Sequence, residues 1–124
     1  MVSDIVTALP ENVEAQMTDL LEWYHTLPQR TLGDLAKFHA DYEEIHPFQD
    51  GNGRTGRMIL FKECLANNIV PFIIRDNRKV EYYHALNAAQ TKGMYETLEH
   101  LFLEEQAEYM ALAEGFVLPI RHEP

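Results

Sequence analysis

Residues 46–67 read HPFQDGNGRTGRMILFKECLAN. The first eight, HPFQDGNG, carry two glycines and a proline and read as a loop. From about Gly53 to Asn67 the chain changes character. Met58, Ile59, Leu60, Phe61, Cys64, Leu65 and Ala66 leave few polar positions, and an apolar run that wraps most of a helix predicts a central, largely buried one. Asn67 and Asn68 suit its C-terminal end. Working back toward the N-terminus, Pro47 disfavours helical geometry in the residue before it, so the preceding helix stops near Ile45. That helix shows Leu35, Phe38 or His39, Tyr42 and Ile45 on one side, and Thr31 with Asp34 makes a plausible N-cap pair. Before it, Val13, Met17, Leu20, Leu21, Tyr24 and Leu27 recur in steps of three and four, which predicts a helix over Glu11–Leu27 ended by Pro28. Working forward, Ile69–Ile74 (IVPFII) is β-branched, but Pro71 makes it an extended connector rather than a central strand. Asp76 or Asn77 caps a further helix through Gln90, with Gly93 in a C′ position. A last helix runs over about Met94–Glu114, with Gly115 able to end it. The expectation is one compact all-α bundle around the 53–67 helix with little or no β structure. Residues 1–10 are expected as a loop or edge strand, 11–116 as the core and 117–124 as a tail.

The 124 residues suit one domain, and 46% hydrophobic with 24% charged residues is the balance of a globule rather than a disordered chain. Twenty acids against ten Lys plus Arg give a net charge of −10. That balance speaks against a broad nucleic-acid-binding surface or an anionic membrane surface, both of which need clustered cations. It leaves room for a small cationic site. The single cysteine, Cys64, cannot form an internal disulfide. No apolar run approaches the roughly 18 residues of a membrane span. The first residues, MVSDIVTALPEN, lack a basic region before an apolar one, so the expected location is the cytoplasm.

The chemistry sits in His46–Arg57. A Gly-Asn-Gly turn leading into a helix presents backbone N–H groups that the helix leaves unpaired, at the positive end of its dipole. Glycines permit the close backbone approach a phosphate requires. Arg54 and Arg57 are three apart, so both guanidinium groups fall on one side of the first turn and suit a polyphosphate. Asp50 at the mouth of that cradle is a fitting Mg²⁺ ligand, since Mg²⁺ takes few protein oxygens beside substrate oxygens. His46, with an ordinary pKa of about 6.5, suits taking a proton from a hydroxyl. Phe48 reads as a core anchor that pins the loop. Together these are the parts for in-line transfer of a phosphoryl or nucleotidyl group to a hydroxyl.

HPFQDGNGRTGR resembles the signature loop of Fic-domain proteins, HxFx(D/E)GNGRxxR, at every specified position. The segments LPENVEAQM and LLEWYH before it, and ECLANNIVPFII and EYYHALNAAQ after it, agree. The resemblance implies the Fic fold and transfer of AMP from ATP to a Ser, Thr or Tyr hydroxyl of a target protein. It implies His46 as general base and Asp50 as the Mg²⁺ ligand. It places the amides of Gly51, Asn52 and Gly53 on the α- and β-phosphates, Arg54 on the β- and γ-phosphates and Arg57 on the γ-phosphate. Tyr83 and Gln90, seven apart on one helix face, look like the residues that border the adenine in relatives. Doc-type relatives, which transfer phosphate, replace the GNGR part with a Lys-bearing variant, so Gly53–Arg54 sides with AMP transfer.

Relatives usually carry a β-hairpin flap before the point where this chain has Pro10, so residues 1–10 read as its remnant, and target docking by strand addition is expected to be reduced. Many also carry an inhibitory helix, (S/T)xxxE(G/N), whose Glu pairs with the second motif arginine. Thr7–Asn12 (TALPEN) matches as a string but contains Pro10, and Glu114–Gly115 matches less well. The expectation is no working internal brake, with a separate antitoxin-like inhibitor protein as a partner that the family allows. Two other readings stand beside AMP transfer. One is an ATP-binding interaction module with little transferase activity, or a variant that removes AMP or transfers another phosphate-bearing group. The other is a metal phosphohydrolase built from the six histidines and Asp50, disfavoured by the lack of an H-x₃-H pair or an HD dipeptide.

Overall fold

The computed structural model describes residues 9–45 and 52–121, with backbone alone for residues 52 and 115–121. Five α-helices follow in order: α1 (Val13–Thr26), α2 (Leu32–Ile45), α3 (Asn52–Ala66), α4 (Lys79–Lys92) and α5 (Glu96–Arg121). Short 3₁₀ turns, Pro10–Asn12 and Asp76–Arg78, lead into α1 and α4. Among the described residues there is no strand, and the all-α expectation holds.

The starts and stops follow from local chemistry. Thr31 and Asp34 form a reciprocal cap on α2: the Asp34 N–H donates to Thr31 Oγ1 at 3.2 Å, and the Thr31 N–H donates to the Asp34 carboxylate at 2.9 Å. That satisfies two donors the helix itself leaves open. At the end of α3, Asn68 takes a left-handed conformation (φ 59°), which asparagine tolerates better than most residues. Gly93 ends α4 with φ 65°, and the Gly93 and Met94 N–H groups donate back to Ala89 and Ala88. The bond from the left-handed Gly93 to Ala89 is the αL form of helix termination. Gly115 behaves differently from the expectation. Helix α5 runs through it to Arg121, since a glycine inside a helix costs only about 1 kcal/mol and does not stop one alone.

The burial pattern moves the centre of the bundle. Helix α2 buries eight of its residues and packs against α1, α3, α4 and α5. Burying Leu35, Phe38 and Ile45 of α2 and Phe102 of α5 contributes on the order of 1.5–3 kcal/mol per side chain. Rings interlock across the helices, Tyr24 on Phe38 at 4.6 Å and Phe72 on Phe102 at 4.9 Å between centroids. The 53–67 helix, expected at the centre, buries only the stripe Gly56, Leu60 and Cys64. Met58 on its other side is 71% exposed. Apolar residues inside is a one-way rule, and a run of them does not fix which helix is enclosed.

Two contacts hold α3 in place. Near its start a Cβ on Gly56 would overlap the Glu43 carboxylate and lie 3.2 Å from the Tyr42 ring of α2. Glycine at this position leaves the room that the Glu43 and Tyr42 side chains of α2 fill. Near its end Tyr24 of α1 donates its hydroxyl to Glu63 Oε1 at 2.6 Å. The connector after α3 is pinned to α5 through a buried carboxylate: Glu105 accepts from the Arg75 backbone N–H at 2.8 Å and from Arg75 Nε at 2.9 Å. Phe72 and Ile74 point inward as a result, and Ile73 faces out.

Gly56→Ala is expected to destabilise the fold. Overpacking against α2 costs about 1–3 kcal/mol, against at most about 1 kcal/mol regained in helix propensity. Thermal unfolding should show a melting temperature lowered by several degrees; one equal to or above the parent chain would contradict the close α2–α3 approach.

Candidate nucleotide site

Helix α3 begins at Asn52, and its first amides have no acceptor within the helix. Side chains on a helix lean toward its N-terminus. Arg57 does so, and its Nη1 lies 3.1 Å from where a Cβ of Gly53 would stand. The guanidinium therefore occupies the space that glycine leaves open over the first turn. Arg54, one turn earlier, is exposed. The two arginines line a cleft of about 280 Å³ together with Met58, Phe61, Phe72 and Ile73.

This charge distribution runs against helix stability. The N-terminus of a helix disfavours cations, by roughly 0.3–1 kcal/mol each when the usual preference is reversed. No acid stands in the first turn of α3 to offset Arg54 and Arg57. A chain with twice as many acids as Lys plus Arg thus keeps two arginines where the helix least wants them. An anion bound over the turn would reverse the penalty, because amides, dipole and both guanidinium groups would then act together.

Behind Arg57 lies a buried polar cluster that the sequence reading did not single out. His39 Nε2 and the Tyr82 hydroxyl share a hydrogen bond at 2.5 Å, and both residues are almost fully buried. His39 also lies against the Gly56 backbone, and Arg57 lies beside the Tyr82 hydroxyl. Burial, with the nearby Arg57 charge, pushes His39 down to about 3, so its imidazole is neutral. Burial also raises the Tyr82 hydroxyl above its ordinary value. Glu43, one turn after His39, is raised by burial to about 7, with the Arg57 charge pulling the other way. The signal for this cluster was present in the sequence: His39 and Glu43 are four apart, on a helix face otherwise filled with apolar residues.

Of the expected site residues, the structure brings together Gly53, Arg54 and Arg57. His46, Phe48, Asp50, Gly51 and the Asn52 side chain lie outside the described residues. Tyr83 is half-buried with its ring 5.4 Å from that of Tyr82, which puts it next to a group that contacts Arg57. Gln90 stands about 10 Å further along α4 and donates its amide N–H to the Ala40 carbonyl at 3.0 Å. That bond ties α4 to α2. Glu11 of the TALPEN string is exposed in the turn that leads into α1. Among the described residues no three His, Cys, Asp or Glu side chains gather closely enough to hold a metal ion, and His25, His84 and His100 are exposed. Burial raises the Cys64 thiol to about 11, so it is not a thiolate nucleophile.

A family model described as the Fic/DOC family matches residues 2–64, half of the chain and all of the 46–57 motif. The chain belongs to the Fic/DOC family. It is 36% identical over 91 residues to the protein adenylyltransferase Fic of Nematostella vectensis, covering 71% of this chain and 21% of the relative. It is 31% identical over 83 residues to the protein adenylyltransferase fic-1 of Caenorhabditis elegans, covering 64% and 16%. The protein adenylyltransferase Fic of Drosophila melanogaster matches at 31% identity, covering 64% and 17%. The chain thus spans about a fifth of the length of the curated relatives it matches. Among the described residues no helix is long and apolar enough to cross a membrane.

Within this Fic/DOC chain the buried cluster makes stability depend on pH in two opposing ways. Glu43 keeps a proton in the native state up to about 7 that the unfolded chain loses near 4.5, so its contribution falls as pH rises between those values. His39 is neutral in the native state down to about 3 while the unfolded chain protonates near 6.5, so its contribution falls as pH drops through that window. Glu43→Gln removes the first effect. Relative to the parent chain, the variant should gain stability between pH 4.5 and 7, by a span on the order of 3 kcal/mol. Urea unfolding at the two pH values checks this; a stability difference that does not change with pH would contradict it.

Proposed function

We propose that this chain is the catalytic core of a protein adenylyltransferase, transferring AMP from ATP to a hydroxyl side chain of a target protein. The observation that carries the reading is the pair Arg54 and Arg57 over the first turn of α3, immediately after a loop whose sequence is HPFQDGNG. The relatives' names agree with it. The target's hydroxyl oxygen attacks the α-phosphorus, the bond from that phosphorus to the oxygen bridging to the β-phosphate breaks, and pyrophosphate leaves. His46 takes the hydroxyl proton. The amides of Gly51, Asn52 and Gly53 hold the α- and β-phosphate oxygens. Arg54 holds the β- and γ-phosphates, Arg57 holds the γ-phosphate, and both balance the charge that collects on the departing pyrophosphate. Tyr83 borders the base, and Gln90 contributes by fixing α4 against α2.

Asp50 would hold Mg²⁺. The first turn of α3 has no acid, and one carboxylate with phosphate oxygens and water is a donor set that suits this ion. When bound, it would neutralise phosphate charge during transfer. A partner that inhibits such a site would do so by placing a carboxylate on Arg57. The cytoplasm, where ATP and Mg²⁺ are abundant, is the compartment this reading expects.

The test is incubation with ATP, Mg²⁺ and a cell lysate, followed by mass spectrometry of this chain and of labelled proteins. The expected result is an AMP adduct that disappears in His46→Ala while ATP binding persists. Saturable ATP binding without any adduct would overturn transfer in favour of an ATP-binding interaction module. Release of AMP from an already modified protein would point to the reverse reaction.

A further inference from the structure

We propose that the pocket between α1 and α2 is a cation-binding subsite that takes a lysine or arginine side chain of the target protein, close to the hydroxyl being modified. The inference rests on the transferase reading of the chain and adds to it the chemistry of the target.

The pocket encloses about 370 Å³. Asp19, Leu20 and Trp23 of α1 line it together with Lys37, Asp41 and Glu44 of α2. Steps of three and four place each set on one face of its helix. Three carboxylates thus meet one ammonium. That ammonium is already engaged, since Lys37 Nζ donates to Asp41 Oδ2 at 2.8 Å. Asp41 also accepts from the Tyr95 hydroxyl at 3.0 Å. Among the described residues the carboxylates of Asp19 and Glu44 make no hydrogen bond or ion pair. Glu44 is half-buried, and burial together with the Asp41 charge raises it above the ordinary carboxylate value. A second cation would offset both effects.

The chain's own lysine shows what this wall holds. Lys37 Nζ lies 5.1 Å from the Trp23 ring centroid and 5.0 Å from that of Tyr95, within the reach of attraction between an ammonium and an aromatic face. Trp23 and Asp41 therefore already hold one organic ammonium at the edge of the pocket. A bare metal ion fits less well, because among the described residues no three acids or other ligands gather closely enough to hold one. Leu20 and Ile45 add apolar surface to the lining, which suits the methylene stem of a lysine or arginine.

The position ties the pocket to the reaction. Ile45 belongs to its lining and directly precedes His46 in the chain. From Lys37 to Ile45 the lining follows α2 for about 12 Å. An extended target segment covers about 3.3 Å per residue. A basic side chain seated here thus belongs to a residue within roughly four of the acceptor hydroxyl.

Trp23 is the only tryptophan of the chain, so its indole N–H gives a single NMR reporter. The probe is a capped pentapeptide containing one serine and one lysine, titrated into the whole chain without nucleotide. The expected result is a saturable shift of the indole signal that weakens with added salt. Norleucine or glutamate in place of the lysine should abolish it. Asp19→Asn combined with Glu44→Gln keeps side-chain size and should weaken binding roughly tenfold, the scale of two lost ion pairs. With ATP, Mg²⁺ and a lysate, labelled sites should carry Lys or Arg within four residues of the modified hydroxyl, and the double variant should lose that preference. No saturable shift, an equal shift with the norleucine peptide, or unchanged affinity in the double variant would each overturn the cation subsite. Labelled sites without a nearby basic residue would overturn its part in target choice. If no protein were labelled, the transferase reading would fail, and the indole titration would still decide whether the pocket binds the cation.

Discussion

The approach of α3 to α2 at Gly56 is the constraint on which the rest of the molecule depends. With no Cβ there, the α3 backbone settles against Glu43 and Tyr42. That depth brings the Gly56 backbone to His39, and it sets Arg57 beside Tyr82 rather than out in solvent. The helix start, with its open amides, is then aimed by the core of the bundle. Tyr24 on Glu63 fixes the far end of the same helix, so its direction is set at two points. The buried Glu105–Arg75 pair does the equivalent for the connector that walls the cleft. A one-sided site needs this kind of support, because a ligand binding over a helix terminus pushes against a single element.

Electrostatics gives the arrangement its direction. Three titratable side chains behind Arg57 are buried, and for each the environment favours the neutral form: a histidine pushed down, a tyrosine and a glutamate pushed up. Arg57 is the charge left at the edge of that neutral layer. It lines the cleft beside the first turn of α3, in a chain whose net charge is −10. Acidity spread over the molecule and cationic character confined to one helix end are compatible, since charges beyond about 10 Å are largely screened at ordinary salt.

Much of this could be read from the sequence wherever the physics is local. Thr31 with Asp34, Asn68 and Gly93 mark helix boundaries because a cap or a left-handed turn involves residues close along the chain. The motif from His46 to Arg57 reads as a phosphate cradle for the same reason, and of it the described part is Gly53 to Arg57. What could not be read depends on packing. The apolar run from Met58 to Leu65 looked like the centre of the bundle, yet α2, with its mixed composition, is enclosed. Which helix is central is decided by neighbours, and an apolar stretch records only that some of it is covered. His39, Glu43 and Tyr82 escaped notice because 39 residues separate Glu43 from Tyr82 and only folding makes them a group. Gln90 shared a helix face with Tyr83 as expected, but its amide answers to the Ala40 carbonyl of α2.

The central claim is that the start of α3 is a polyphosphate site aimed by the α2–α3 contact. The most direct measurement is a map of backbone amide shifts as ATP with Mg²⁺ is added to the whole chain. The account predicts that the shifts concentrate on Gly53 to Arg57 and extend to Tyr82 and His39 behind them. Saturating shifts elsewhere, on α1 or the far half of α5 with Gly53 to Arg57 unmoved, would contradict it.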